Sequence, residues 1–319
     1  MGSNPAAPSG FLGSGVSAEA GTGTTTLRRR RMMQDWLFML PQLLIFVGLT
    51  IVPFFIAIPM LFTDISQFND PQINFVGFRN FTVLFNNPGV RADYLPALKR
   101  TLVFVALNYA TVYIFGLSLA LLMYEVGFHG GFFTVVYLPL MVSGLAVGYI
   151  AVMLFSRETG TANLLLMELG LIKKGINIYS PSGTMFLLPL LVGWRYAGYN
   201  MAIFLSGLLA IPKETIESAI VDGASYLQRL FRIYFPQMWP SFILATTMCL
   251  IGSFAVFDEL VALGALYVNP EANLLSTLFF IYGFQVERLG QGMTLAVETF
   301  LPLVFVGVAL QRLQRRLQY

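Results

Sequence analysis

Six long stretches of the chain are nearly free of charge, and that spacing predicts the architecture. Trp36 to Phe62, Thr101 to Tyr124, Val126 to Ser156 and Ile233 to Phe257 carry no acid, lysine or arginine. Gly175 to Pro212 is interrupted only by Arg195, and Leu289 to Gln311 only by Glu298. About 20 apolar residues cross a bilayer as a helix, the form that satisfies its own amides in hydrocarbon. The pattern predicts spans at about 36–62, 101–124, 132–155, 185–209, 241–264 and 292–311. Ala272 to Val286 is also uncharged, but it is short and carries Asn273, Ser276, Thr277 and Gln285. It reads as an extracytoplasmic segment lying against the bundle.

The polar remainder orients the bundle. Residues 1–31 are rich in Gly, Ser, Thr and Ala and end in Arg28 to Arg31, which reads as a disordered basic tail ahead of a transmembrane domain at 32–319. Four arginines before an overlong apolar run without an Ala-x-Ala site mark a retained anchor. They put the N-terminus in the cytoplasm, and six crossings return Arg312, Arg315 and Arg316 to the same side.

Composition narrows the function classes. The 319 residues are 56% hydrophobic and 11% charged, with a mean hydropathy of +0.72, which excludes an ordinary soluble domain. A net charge of +3 is too small for a nucleic-acid face. One cysteine, Cys249, and one histidine, His129, exclude a disulfide framework, a Cys/His metal centre and a histidine-based triad. No catalytic residue and no metal site is assigned, and neither Cys249 nor His129 receives a function. Gly170 to Gly175 spaces two glycines like a phosphate loop, but Ile176 and Asn177 stand where Lys and Ser or Thr are required.

The loop at 210–240 carries the most specific signal. Pro212 suits a helix start, Glu214 and Glu217 suit its positive end, and Asp222-Gly223 supplies a left-handed stop. A helix, a glycine turn and a second helix follow. Ile216, Ala219 and Ile220 form an apolar patch among carboxylates, a surface suited to docking on another protein.

Glu217-Ser218-Ala219, then Asp222-Gly223-Ala224, resembles the Glu-Ala-Ala loop in the membrane subunits of binding-protein-dependent ABC importers, with Ser218 replacing the middle alanine. Ile211-Pro212 before it, and Phe231, Ile233 and Pro236 after it, resemble the sugar branch that includes the maltose and glycerol-3-phosphate permeases. Phe75-Val76-Gly77-Phe78-Arg79-Asn80-Phe81 and Thr101 match further family positions, and Val268-Asn269-Pro270 departs from the family's Gly-Gly-Pro. The resemblance covers about Trp36 onward. It implies an all-α, six-transmembrane-helix ABC importer permease (type I) fold with a cytoplasmic coupling helix, in a bacterial or archaeal inner membrane. Glu217, Ala219, Asp222, Gly223 and Ala224 would couple to a separate ATPase. The implied partners are a second permease subunit, two ATPase subunits that use ATP and Mg, an extracytoplasmic sugar-binding protein, a sugar and the lipid membrane. This chain would bind no cofactor.

Ionisable groups inside spans are expensive and mark pathways. Arg195 lies beside Tyr196, Tyr199 and Asn200, which share a helix face; Ser253, Phe257, Asp258 and Glu259 close span five, and Glu298 opens span six. Aromatic rings cover sugar faces, while amides and carboxylates bond hydroxyls. Three alternatives stand beside this sugar pathway: the residues pack the bundle, with Arg195 paired to Asp258 or Glu298; Arg195 meets an anionic sugar or polyol phosphate; or the charges form the relay of an ion-coupled transporter. Gly116, Gly144, Gly148, Gly193, Gly198 and Gly207 are expected to let helices pack closely.

Overall fold

A computed structural model describes residues 20–70, 73–127, 130–267 and 269–317; His129 and Val268 lie outside them. The chain divides into two units, residues 1–59 and 60–319.

The first unit is helical. Helix α1 (Ala20–Phe46) runs through a wide turn, Val47–Ile51, into α2 (Val52–Met60). The wide turn has a cause in the sequence: Pro53 lacks an amide proton and its ring crowds the carbonyl four residues back, so the helix loosens just before it. Residues Met32–Met60 form one apolar helix long enough to cross a membrane. Residues 20–31 continue the helix, and residues 1–19 of the expected tail lie outside the described residues.

The second unit opens with the loop that holds the Phe-Val-Gly motif. Val76 N–H donates to Phe62 O at 2.8 Å, Gly77 takes φ +57°, and the buried Asn80 amide donates to Leu61 O and Thr63 O. Beyond it come α3 (Arg79–Asn86), α4 (Pro88–Val112) and, past a wide turn, α5 (Ser118–Val126). Pro88 to Val126 is one helix of 39 residues.

Two of the predicted spans are broken. In place of a straight span three, α6 (Gly131–Tyr137) and a short 3-10 turn, Leu138–Met141, meet α7 (Gly144–Phe155) at 91°. Pro139 weakens the helix there, and Ser143 caps the new one by accepting from Ala146 N–H. After α8 (Thr161–Glu168), span four divides into α9 (Pro181–Arg195) and α10 (Ala197–Leu209), with Tyr196 between them. The Gly170 to Gly175 stretch is a loop tied down by the buried Asn163, whose amide bonds Ser156 O and Ile176 O.

The chain continues through α11 (Lys213–Val221), α12 (Tyr226–Arg229), α13 (Phe235–Gln237), α14 (Trp239–Phe254) and α15 (Asp258–Ala262). Helix α16 (Leu275–Phe280) lies within the uncharged 272–286 segment and packs against α4 and α17 (Leu289–Leu317). Among the described residues four helices are long and apolar enough to cross a membrane, or five with the bent pair as one span.

One cation joins the broken ends. Arg195, the last residue of α9, donates through Nε to Val142 O at 2.9 Å, the carbonyl at the 91° bend. Its Nη1 reaches Glu259 Oε1 of α15 at 2.8 Å. The two side chains are 16% and 5% exposed. Glycines let these elements approach. A Cβ on Gly148 of α7 would lie 2.5 Å from Ala262 Cβ and 2.7 Å from Glu259 O. All six glycines expected to sit at close crossings meet a neighbouring element within 3 Å of such a Cβ.

Two outcomes follow from this packing. Gly148→Val should destabilise the protein by about 1–3 kcal/mol or more through overpacking, whereas Gly307→Ala on α17, with open space around it, should leave thermal unfolding in detergent unchanged or raised. Glu259→Leu should cost about 3–5 kcal/mol by stranding a buried guanidinium, and Arg195→Met added to it should recover most of that loss; a thermal-unfolding double-mutant cycle measures both.

Candidate functional site

The first candidate is the exposed helix α11. Pro212 stands at its N-cap rather than its first turn, and Glu214 lies in that turn. The end is a complete Schellman stop: Ala224 N–H donates to Ala219 O at 2.9 Å, Gly223 N–H to Ile220 O at 3.0 Å, and Gly223 takes φ +75°. Ser225 and Gln228 then cap α12 reciprocally. The helix, glycine turn and helix stand where the loop spacing puts them.

Burial sorts the apolar residues differently from the expected patch. Ile216 turns inward, joining Leu208, Tyr234 and Met238 in a buried cluster. Ile220 is 53% and Val221 86% exposed, and Glu217, Asp222 and Gly223 are exposed with them while Ala219 and Ala224 are half-buried. The outward surface is therefore Glu217, Ile220 and Val221, and Ile216 is its anchor. Val221 stands beside the face that the spacing of Ile216, Ala219 and Ile220 defines, and its exposure adds it to the surface. A hollow of about 300 Å³, walled by Tyr124, Leu209 and Lys213, flanks Ile216 and Glu217.

Behind this helix, the Tyr234 hydroxyl donates to Glu125 Oε1 at 3.1 Å. Burial, and then that bond, push the phenol up to about 12, so it stays a donor at any physiological pH. The bond ties the end of α5 to the segment after α12.

The second candidate is a cavity of about 280 Å³, where α4, the α9–α10 junction and α14 meet. Tyr196, Tyr199 and Asn200 line it, as their shared helix face requires, and Asn108, Cys249 and Gly252 face them. Asn108 stands near the middle of the 39-residue helix, and Cys249 near the middle of the apolar helix from Trp239 to Ala262. Asn108 donates to Ser253 Oγ at 2.9 Å, and Ser253 donates to Cys249 O at 2.7 Å. Because the serine proton is committed, Ser253 must accept, and this orients the Asn108 amide. Asn108 Oδ1 has no partner and is covered. A lone asparagine within Thr101 to Tyr124 was the signal available for it.

The other expected pathway residues separate. Ser253 is buried behind the cavity, Phe257 packs against Phe280 at 5.4 Å between ring centres, and Asp258 is exposed. Arg195 and Glu259 pair with each other, and Arg195 lies over the Tyr196 ring at 5.2 Å. No ligand cluster of three or more His, Cys, Asp or Glu occurs among the described residues.

Comparison with known proteins places the chain in a family. The probable starch degradation products permease AmyD of Thermoanaerobacterium thermosulfurigenes is 28% identical over 275 residues, covering 86% of this chain and 91% of that one. The arabinooligosaccharides permease AraP of Bacillus subtilis is 28% identical over 298 residues, 92% of each chain. The lactose permease LacF of Rhizobium radiobacter is 24% identical over 293 residues, 91% of this chain and 95% of that one. In fold, the chain is similar to a bacterial ABC transporter that imports the acidic polysaccharide alginate, with TM-score 0.70, 24% identity and coverage of 90% and 98%. The same is true of a bacterial alginate ABC transporter in complex with a pentasaccharide-bound periplasmic protein, with TM-score 0.72, 23% identity and coverage of 90% and 96%. The profile of binding-protein-dependent transport system inner membrane components spans residues 112–318, and the chain belongs to that family: it is a multi-pass membrane transport subunit, not an enzyme.

Proposed function

We propose that the chain is one permease subunit of an ATP-driven importer that carries a sugar or oligosaccharide across a bacterial or archaeal cytoplasmic membrane. The observation that carries the energy-coupling part is α11. An anchored helix presents an acid and two exposed aliphatic residues outward, then stops at a left-handed glycine. In this reading Glu217, Ile220 and Val221 enter a cleft of a separate ATPase subunit, while Ala219, Asp222, Gly223 and Ala224 set the turn. ATP and Mg belong to two such subunits, and this chain binds no cofactor.

The bundle makes six crossings, counting α6 with α7 and α9 with α10 as one broken span each, and both termini face the cytoplasm. A second permease subunit completes the pathway, and an extracytoplasmic binding protein delivers the sugar. Tyr196 and Tyr199 cover apolar sugar faces and Asn200 bonds hydroxyls. The names of the relatives AmyD, AraP and LacF support a saccharide as cargo. Movement is gating, and no covalent bond changes within this chain.

Glu217→Lys reverses the charge offered to the ATPase, and Gly223→Asp strains the left-handed turn. Each should lower uptake and substrate-stimulated ATP hydrolysis in proteoliposomes by about tenfold or more, with the complex still copurifying intact. Normal activity in both variants would refute the coupling role.

A further inference from the structure

We infer that the central cavity takes an uncharged saccharide unit, and that Glu259 is the residue that keeps it so by neutralising Arg195. The inference rests on the saccharide reading above and adds the charge class of the cargo together with the residue that sets it.

The cavity lining holds two tyrosines, two asparagines, a cysteine, a glycine and aliphatic side chains, with no carboxylate, lysine or arginine. Arg195 is the only charged residue adjacent in sequence to any of them. It stands one position behind the wall, over the Tyr196 ring at 5.2 Å. Its charge is committed: Nη1 donates to Glu259 and Nε to the Val142 carbonyl. Glu259 is in turn held by close packing, because the Gly144 backbone leaves room for its Oε1 and nothing more. The neighbouring carboxylate, Asp258, adds negative charge to the same helix start.

A sugar carboxylate entering this cavity would lose its water and meet no free cation, which is the costly way to bury an ion. Hydroxyls lose little, because Asn200 and the tyrosines offer bonds of their own kind. The alginate importers of the same fold carry an acidic polysaccharide, so the fold leaves cargo charge open and local charge pairing decides it.

Glu259 acts through Arg195 and is a positioning residue. Glu259→Gln keeps a hydrogen-bond acceptor for Arg195 but frees its charge. Arg195→Met with Glu259→Leu removes both charges and separates an electrostatic effect from a packing one.

The test uses the assembled complex of both permease and ATPase subunits in detergent. Equilibrium binding of labelled maltotriose, arabinotriose and trigalacturonate is measured without the binding protein, so that protein's own selectivity does not enter. ATP hydrolysis is followed in parallel with the binding protein present. The native complex should favour at least one neutral trisaccharide over trigalacturonate by about tenfold or more, the worth of one charge-assisted hydrogen bond. Glu259→Gln should raise the ratio of trigalacturonate to neutral binding by about the same factor, and the double variant should return it to the native value. Equal or tighter binding of trigalacturonate by the native complex would overturn the proposal while leaving the saccharide reading intact. So would an unchanged ratio in an assembled Glu259→Gln complex. Binding of none of the three, with no stimulation of ATP hydrolysis, would overturn the saccharide reading and this proposal with it.

Discussion

Inside hydrocarbon every backbone amide and carbonyl needs a partner, and this chain breaks its helices in the middle of the bundle. The sharp break among the described residues falls at Val142–Ser143, where the helices meet at 91°. Such breaks persist only where protein groups take over the lost bonds. The Arg195 guanidinium does this at the bend, bonding the Val142 carbonyl with one nitrogen and Glu259 with another. Burying the pair costs desolvation, which the charge-assisted bonds and the close packing of α7 on α15 offset. A purely apolar junction could fill the same volume, but it would offer the Val142 carbonyl no donor.

The cavity lies beside that junction. Tyr196, Tyr199 and Asn200 share one helix face by their spacing, and the backbone bonds Tyr196 N–H to Val192 O and Asn200 N–H to Tyr196 O carry that face toward α4 and α14. Gly193 against Thr111 and Gly116 against Asn200 bring the backbones close on either side of the gap. Walls packed this tightly tilt as units rather than deform locally. In the proposed importer, access would change by whole-helix movement, with the cavity near the fixed middle of the long helices.

How much of this was legible follows from which forces are local. Helix–turn–helix geometry at 210–240 is written in nearest-neighbour chemistry, Pro212, Glu214 and Asp222-Gly223, and could be read directly. So could the long apolar helices, because composition alone decides them. The bends could not: Pro139 permits a break, but the 91° angle depends on Arg195 arriving from more than 50 positions away. Sequence position offers Arg195 the acids Asp258 and Glu298, and packing pairs it instead with Glu259. Ile216 and Ile220 share a helix face by spacing, and only the docking of α11 on Tyr234 and Met238 turns one inward and leaves the other exposed.

That inward turn packs α11 onto the elements that continue into the cavity walls. Ile216 packs in one cluster with Tyr234 and Met238, immediately before α14, and with Met123 of α5. Tyr234 also bonds Glu125 at the end of α5. Helix α5 continues back into α4, which carries Asn108, and α14 carries Cys249, so both long walls of the cavity end on the residues that grip α11. Burial and this bond push the Tyr234 phenol up, so the hydroxyl keeps its proton and remains the donor. In the proposed importer, a displacement applied at Glu217, Ile220 and Val221 therefore reaches two opposed walls at once. An exposed flexible linker could dock on an ATPase equally well, but it would absorb the displacement; in the proposed importer the Schellman stop and the buried anchor would let α11 act as a lever.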